Sequence, residues 1–326
     1  MPYMIEERQA LAVSEHFPAD IGCCRSVVVT SVSEVGWWDT PRMLAQMAAG
    51  GGPGACQWGM HFDADNAAGS CSLLEVEALD GSVTRILLDA GWNSEYMSER
   101  FRATGVDRLL ENGDIAFLFL SHEHLDHFWG IESVLRLAPE IPILVPGGLR
   151  QEGIEWLRGA EFAAAGISNR VPHRGPIVRM MSGGIHRLLP GLASVTFDLP
   201  ILLDIRGEQS LYLNVAEKGL VCVTGCCHQG VLNLVDYAAS NLDAGRQPYG
   251  LYGGLHIAPF AAMTEAQADI VRALGRYGFK KIAANHCTGP GAIALMRELD
   301  YPLVGGTARD GSVGTDHPGN GDVVRF

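Results

Sequence analysis

One stretch limits what this chain can fold into more than any other: Ile115-Ala116-Phe117-Leu118-Phe119-Leu120, followed at once by Ser121-His122-Glu123-His124-Leu125-Asp126-His127-Phe128-Trp129-Gly130. The unbroken apolar hexapeptide, with its branched and aromatic side chains, reads as a buried strand rather than a helix. At its end, three imidazoles and two carboxylates occupy six positions, 122 to 127. These are groups that divalent zinc, manganese and iron accept as ligands. Residues two apart in extended backbone point the same way, so His122 and His124 can grip one ion together. Asp126 and His127 follow as the chain turns into a helix and point towards a second ion. A single histidine is ordinarily a surface or satisfied core residue, but three at one strand end have no packing rationale.

The same arrangement recurs downstream. Leu220-Val221-Cys222-Val223 reads as a strand delivering Thr224-Gly225-Cys226-Cys227-His228-Gln229-Gly230 into a glycine turn. A Cys226 thiolate beside a dication is a strong ligand. A buried structural cysteine is the alternative, and Cys227 is read that way. His228 is expected to complete the His122/His124 set, with His186, on a separate strand, as its competitor. His173, in a proline-glycine loop, is expected at the surface, and His317 is treated as incidental. Leu251 to His256 reads as a short strand whose Gly253-Gly254 implies close backbone approach. Another strand, Lys280 to Asn285, leads into His286-Cys287-Thr288-Gly289-Pro290, and His286 is assigned to the ion of Asp126 and His127.

His122-x-His124-x-Asp126-His127 after a hydrophobic strand resembles the signature of the metallo-β-lactamase superfamily. The resemblance implies an α/β fold, a four-layer αβ/βα sandwich with a mono- or dinuclear metal site at one edge. Members commonly place a metal-bridging aspartate directly after a Thr-Gly such as Thr224-Gly225; Cys226 stands there and would bridge the ions or cap one. A similar strand ends in an Asp-x-Gly turn beside the metal loop, so Asp89 of Asp89-Ala90-Gly91 either orients a ligand histidine or simply shapes its turn. Gly225-Cys226-Cys227-His228, Gly253-Gly254-Leu255-His256 and His286-Cys287-Thr288-Gly289 together are similar to the branch named for the dihydropterin (ribofuranosyl)aminobenzene phosphate synthases, from about Ser70 to Leu299. Two departures stand out. Phe128-Trp129-Gly130 replaces that branch's usual small Thr-Gly-Gly, and the first 60 residues match no named pattern.

Elsewhere, local signals place the elements. Ser72 to Glu77 and Val83 to Leu88, joined through Asp80-Gly81, predict a hairpin. Asp39-Thr40-Pro41 predicts a helix start, Phe128 to Ala138 and Leu149 to Ala165 predict helices, and Gln229 to Ser240 another. Thr264-Glu265-Ala266-Gln267 matches a capping box. Trp37-Trp38 reads as a core anchor or as part of a substrate wall. The glycine run 50–54, with Cys56, Trp58 and His61 beyond it, reads as a lid or as an inert loop. The expected organisation is one domain, 1–326, with 1–65 as a lid-like N-terminal extension.

At 326 residues the chain is long enough for one large core. A net charge of −13 argues against nucleic acid as partner, because phosphate backbones demand a basic face. Met1 to Asp20 lacks the apolar core of a secretion signal, and no run of about 18 apolar residues suits a membrane. Eight cysteines that include two adjacent pairs suit a reduced, cytoplasmic compartment better than a disulfide framework. A homo-oligomer is left open. The expected activity is metal-dependent hydrolysis of a small ester, lactone or phosphoester by a metal-activated hydroxide. Two Zn2+ ions are the default, with Mn2+ or Fe as alternatives. His122, His124 and His228 would hold one ion and Asp126, His127 and His286 the other; Asp126 and His256 are the residues expected to act in the chemistry. The alternatives are a synthase-like transferase, redox chemistry at a di-iron site, and a binding domain without turnover.

Overall fold

The computed structural model describes residues 18–312 and 314–326; most of the charged stretch 1–20 lies outside them. Seven strands form one sheet, in spatial order Val323–Arg325, Ser26–Ser33, Cys71–Glu77, Val83–Leu88, Ile115–Phe119, Ile143–Pro146 and Ile177–Met180. Six form the second: Lys281–Asn285, Pro248–Gly254, Gly219–Thr224, Ile205–Val215, Leu192–Ile201 and Ile185–Leu189.

Side-chain alternation explains why these sheets stack. From the first, Val27, Val29, Ile86, Leu88, Phe117 and Phe119 turn inward and meet Leu211, Leu213, Val221 and Val223 of the second in one buried cluster. The intervening residues face outward. Leu87 and Leu118 pack on Met97 and Phe101 of helix Ser94–Thr104 and on Leu110 of helix Val106–Glu111. On the other side, Tyr212, Cys222 and Ile282 pack on Leu234 and Val235 of helix Val231–Asn241 and on Ile293 and Met296 of helix Pro290–Glu298. Strands that are apolar on both faces therefore carry a helix layer outside and a sheet inside, giving the expected four-layer αβ/βα sandwich.

Strand direction positions the site. Val83–Leu88, Ile115–Phe119 and Ile143–Pro146 run parallel, as do Gly219–Thr224, Pro248–Gly254 and Lys281–Asn285. Within each parallel set the C-terminal ends lie together, and the residues at 89, 121–127, 225–228, 256 and 286 all follow such ends.

Several expectations need correction. The 149–165 helix is only Gln151–Leu157; Gly159, at φ 89°, turns the chain out, and Glu161–Phe162 pairs with Ile167–Ser168 instead. The helix expected over 128–138 is broken into Leu125–Phe128, a tight turn at Trp129–Ile131 and Glu132–Leu135. Gly130 causes the break: its N–H donates to the Gly91 carbonyl at 2.8 Å, and a Cβ there would lie 2.5 Å from the Ala90 carbonyl oxygen. The described part of segment 1–65 supplies strand Ser26–Ser33 to the interior of the first sheet and buries Trp58 in the core, while its Trp37, Met43 and Met47 line a pocket.

Candidate metal centre

The loops that follow the parallel strands meet because glycines let them. A Cβ on Gly225 would lie 2.2 Å from the Ser121 hydroxyl and 3.0 Å from Asp89, and one on Gly254 would lie 2.5 Å from the Gly225 carbonyl oxygen and 2.6 Å from Cys287 Sγ. The close approach expected of the double glycine is therefore to these two loops. Four non-glycine residues around the centre adopt the left-handed region: Asp89 at φ 64°, Cys227 at 63°, His256 at 44° and His286 at 49°. Such conformations are costly unless the surroundings enforce them.

Hydrogen bonds on the outer ring nitrogens fix which imidazole atoms face inward. Asp89 accepts from the Ser121 N–H at 2.7 Å, the Ser121 hydroxyl at 2.8 Å and His127 Nδ1 at 2.6 Å. The Ser121 oxygen, having donated its proton, accepts from His122 Nδ1 at 2.9 Å. His124 Nε2 donates to the Leu202 carbonyl at 2.8 Å, and His286 Nδ1 to the Glu34 carbonyl at 2.9 Å. Each ring is thereby held in one tautomer, with a bare lone pair on its other nitrogen.

Those lone pairs face one another. His122 Nε2 lies 2.9 Å from His124 Nδ1, and His127 Nε2 lies 3.1 Å from both His286 Nε2 and Cys226 Sγ. Asp126 Oδ2 sits 3.2 Å from His286 Nε2 and 3.7 Å from His127 Nε2. His228 packs its ring 4.9 Å from those of both His122 and His124, with its buried Nε2 unpartnered. Opposed lone pairs and a carboxylate repel one another unless a cation lies between them, so this donor set fits metal ions.

Among the described residues, three groups of donor atoms lie within 4.8 Å of one another: His122, Cys226 and His228; His127, Cys226 and His286; and Cys226, His256 and Cys287. Cys226 belongs to all three. Burial, followed by the charges of neighbouring histidines, holds His122 and His228 well below the usual imidazole range. Burial likewise brings His124 down to about 4. For His286 burial also pulls downward, but the hydrogen bond to Asp126 and the charges of Cys287 and Asp126 outweigh it and lift the ring to about 10. Asp126 stays below the usual carboxylate range, because His127 and His286 overcome the opposing effect of burial.

The residues singled out from the sequence, His122, His124, Asp126, His127, Cys226, His228, His256 and His286, are thus brought to one place. His186 is not: it lies on the outermost strand of the second sheet, Ile185–Leu189, with Nε2 bonded to the Met181 carbonyl at 2.7 Å. His173 is buried, not at the surface, with Nε2 donating to the Ile141 carbonyl at 2.7 Å. Glu123, inside the motif, points away by strand alternation and accepts from Trp58 Nε1 at 2.8 Å and the Arg150 N–H at 2.8 Å. Burial pushes its carboxyl up to about 7 despite those bonds.

Glu208 escaped sequence reading. Fully buried on strand Ile205–Val215, it accepts the backbone N–H groups of Cys226 at 3.0 Å, Cys227 at 2.7 Å and His228. It shapes the ligand loop without facing the centre. The signal was the polar run Glu208-Gln209-Ser210 inside an otherwise apolar strand.

A pocket opens over His124, Asp126, Cys226, His256 and Cys287. Trp37 both lines this pocket and packs against the first core cluster; Trp38 is 48% exposed. No helix among the described residues is long and apolar enough to cross a membrane.

A family model described as a beta-lactamase superfamily domain matches residues 84–178, the span that contains the His122–His127 motif. The chain is 27% identical over 252 residues to the 7,8-dihydropterin-6-methyl-4-(beta-D-ribofuranosyl)-aminobenzene-5'-phosphate synthase of Methanocaldococcus jannaschii, covering 67% of this chain and 79% of that protein. Its fold is similar to a crystal structure of a metal-dependent hydrolase of the beta-lactamase superfamily. The TM-score is 0.57 at 17% identity, over 91% of this chain and 98% of the other.

Proposed function

We propose, from the similarity of this chain to the metallo-β-lactamase superfamily and to its dihydropterin (ribofuranosyl)aminobenzene phosphate synthase branch, that it is a metal-dependent hydrolase of a small ester, lactone or phosphoester. The observation that carries the reading is the set of opposed lone pairs: His122 Nε2 against His124 Nδ1 at 2.9 Å, and His127 Nε2 against His286 Nε2 at 3.1 Å. In this reading His122, His124 and His228 would hold one divalent ion and Asp126, His127 and His286 the other, with Cys226 a further donor beside both groups. Zinc suits imidazole and thiolate donors best. Two such ions, when bound, supply a water of near-neutral pKa and polarise the bond under attack.

The chain's own residues do the remaining work. Asp89 and Ser121 hold His127 and His122 in the tautomers that ligation requires. Asp126, at the pocket floor, would orient the attacking water through a carboxylate that His127 and His286 keep ionised. His256 lines the pocket with its ring 4.2 Å from that of His228 and Nδ1 unpartnered. From there it hands a proton to the leaving group.

His122→Ala tests the assignment. Metal analysis of protein purified without added metal should fall from two equivalents towards one or fewer, with turnover of chromogenic esters, lactones and phosphodiesters lost and far-UV circular dichroism retained. Full turnover in this variant would remove the assignment. The synthase relative favours a second reading, in which the ions activate a substrate group for condensation. Product masses decide: added water marks hydrolysis, and joined substrates mark a transferase.

A further inference from the structure

The walls of the pocket are Trp37, Met43, Met47, Leu202, Leu203 and Phe260. Among the described residues, neither lysine nor arginine lines it. The cations nearest in sequence are engaged elsewhere. Arg42, on the helix that carries Met43 and Met47, pairs with Asp63 and Asp65, and Arg206, three residues after Leu203, pairs with Asp198 at 2.7 Å. Trp37 and Phe260 stack with ring centroids 5.8 Å apart and planes inclined by 27°. Trp37 is held in place by its Nε1–H, which donates to Thr40 Oγ1 at 2.9 Å. Phe260 meets the His256 ring edge-on at 5.8 Å, so this flat apolar wall runs down to the proton donor.

We infer that the substrate is a carboxylic ester or lactone whose body is uncharged and apolar and lies against Trp37, Phe260 and Met43. The inference rests on the hydrolase reading and narrows it. Burying an anionic group against these walls leaves a charge without a partner, which is strongly unfavourable. Sites that transfer phosphoryl groups clamp the non-reacting oxygens with metal ions, arginine or lysine, and among the described residues this wall adds no arginine or lysine to what the ions would supply. A chain charge of −13 also disfavours the approach of anions.

The metal-reconstituted full chain is assayed with p-nitrophenyl acetate, butyrate and hexanoate, the monosuccinate ester, p-nitrophenyl phosphate and bis(p-nitrophenyl) phosphate. With about 0.8 kcal/mol for each buried methylene, kcat/KM should rise about fourfold per carbon from acetate to hexanoate. The monosuccinate ester should fall at least about tenfold below butyrate, with both phosphates lower still. Trp37→Ala should flatten the chain-length dependence to less than about twofold per carbon, and Met47→Lys should raise monosuccinate relative to butyrate about tenfold. Phosphoester or monosuccinate turnover equal to that of butyrate overturns the inference and leaves the hydrolase reading intact. A loaded enzyme that hydrolyses none of the six overturns both.

Discussion

His122 and His124 are adjacent on one face of an extended loop, yet what prepares them for an ion lies elsewhere. Ser121 takes the outer proton of one and the Leu202 carbonyl that of the other. Glu208 works one layer further back. A fully buried carboxyl that burial lifts to about 7, despite three backbone N–H donors, holds the loop 226–228 in shape. Glu208→Gln exchanges an acceptor oxygen for an amide donor facing N–H groups. It should cost about 1–3 kcal/mol in urea unfolding and weaken metal retention during dialysis against a chelator. Unchanged stability and retention would mean that the loop holds itself. Cys222, away from the centre, gives a pH prediction. Burial pushes its thiol up to about 12, against about 8.5 for an unfolded thiol. The folded state keeps its proton where the unfolded state has lost it, so this contribution is complete below about pH 8.5 and is lost as pH rises towards about 12. Wild-type stability should therefore fall by up to about 1.4 kcal/mol per pH unit from this group above pH 9, and Cys222→Ala should have the shallower slope.

Among elements, the decisive contacts are between turns. Strand Gly219–Thr224 ends in Gly225, which sits so tightly against Ser121 and Asp89 that no side chain fits. Gly225→Ala should destabilise the fold by about 1–3 kcal/mol and, by displacing Ser121 and Asp89, lower metal affinity beyond what the stability loss explains. Thermal unfolding together with competitive metal titration separates the two effects. The helix Glu265–Ala273, whose Thr264 cap and Gln267 form the expected capping box, and the helix Thr40–Ala49, capped by Asp39 with a proline in its first turn, were legible because their signals are local. The helices Ser94–Thr104 and Val106–Glu111 were not read from the sequence. Mostly polar residues surround the few, Met97, Phe101, Val106 and Leu110, that reach the core.

At the level of the whole molecule, the two ends of the described chain close the first sheet. Val323–Arg325 pairs antiparallel with Ser26–Ser33, and Phe326 is buried between the sheets beside Tyr252 and Val221. Phe326→Ala should cost about 3–5 kcal/mol, seen as a lower urea midpoint, and should leave metal stoichiometry intact. A loss below 1 kcal/mol would mean that the C-terminal strand is dispensable. The glycine- and aspartate-rich tail gave no sign of this pairing, because a three-residue strand has too little pattern to read and takes its stability from its partner.

The sequence by itself determined where apolar strands end and which imidazoles and thiols follow them, since both are local facts, while the four-layer sandwich was implied by its resemblance to the metallo-β-lactamase superfamily. Apolar runs of strand length can only be buried in a sheet covered on both faces, and imidazoles and thiols placed directly after them emerge at strand ends. The tertiary structure alone decided which donors face each other, which ring nitrogen each turns inward, and that Glu208, Ser121 and the Leu202 and Glu34 carbonyls hold them there. Likewise it separated His228, which joins the centre, from His186, which lies out on an edge strand. The reason is physical: ligation requires tenths of an ångström between groups up to 159 residues apart, a precision set by how the sheets pack and not by any spacing along the chain.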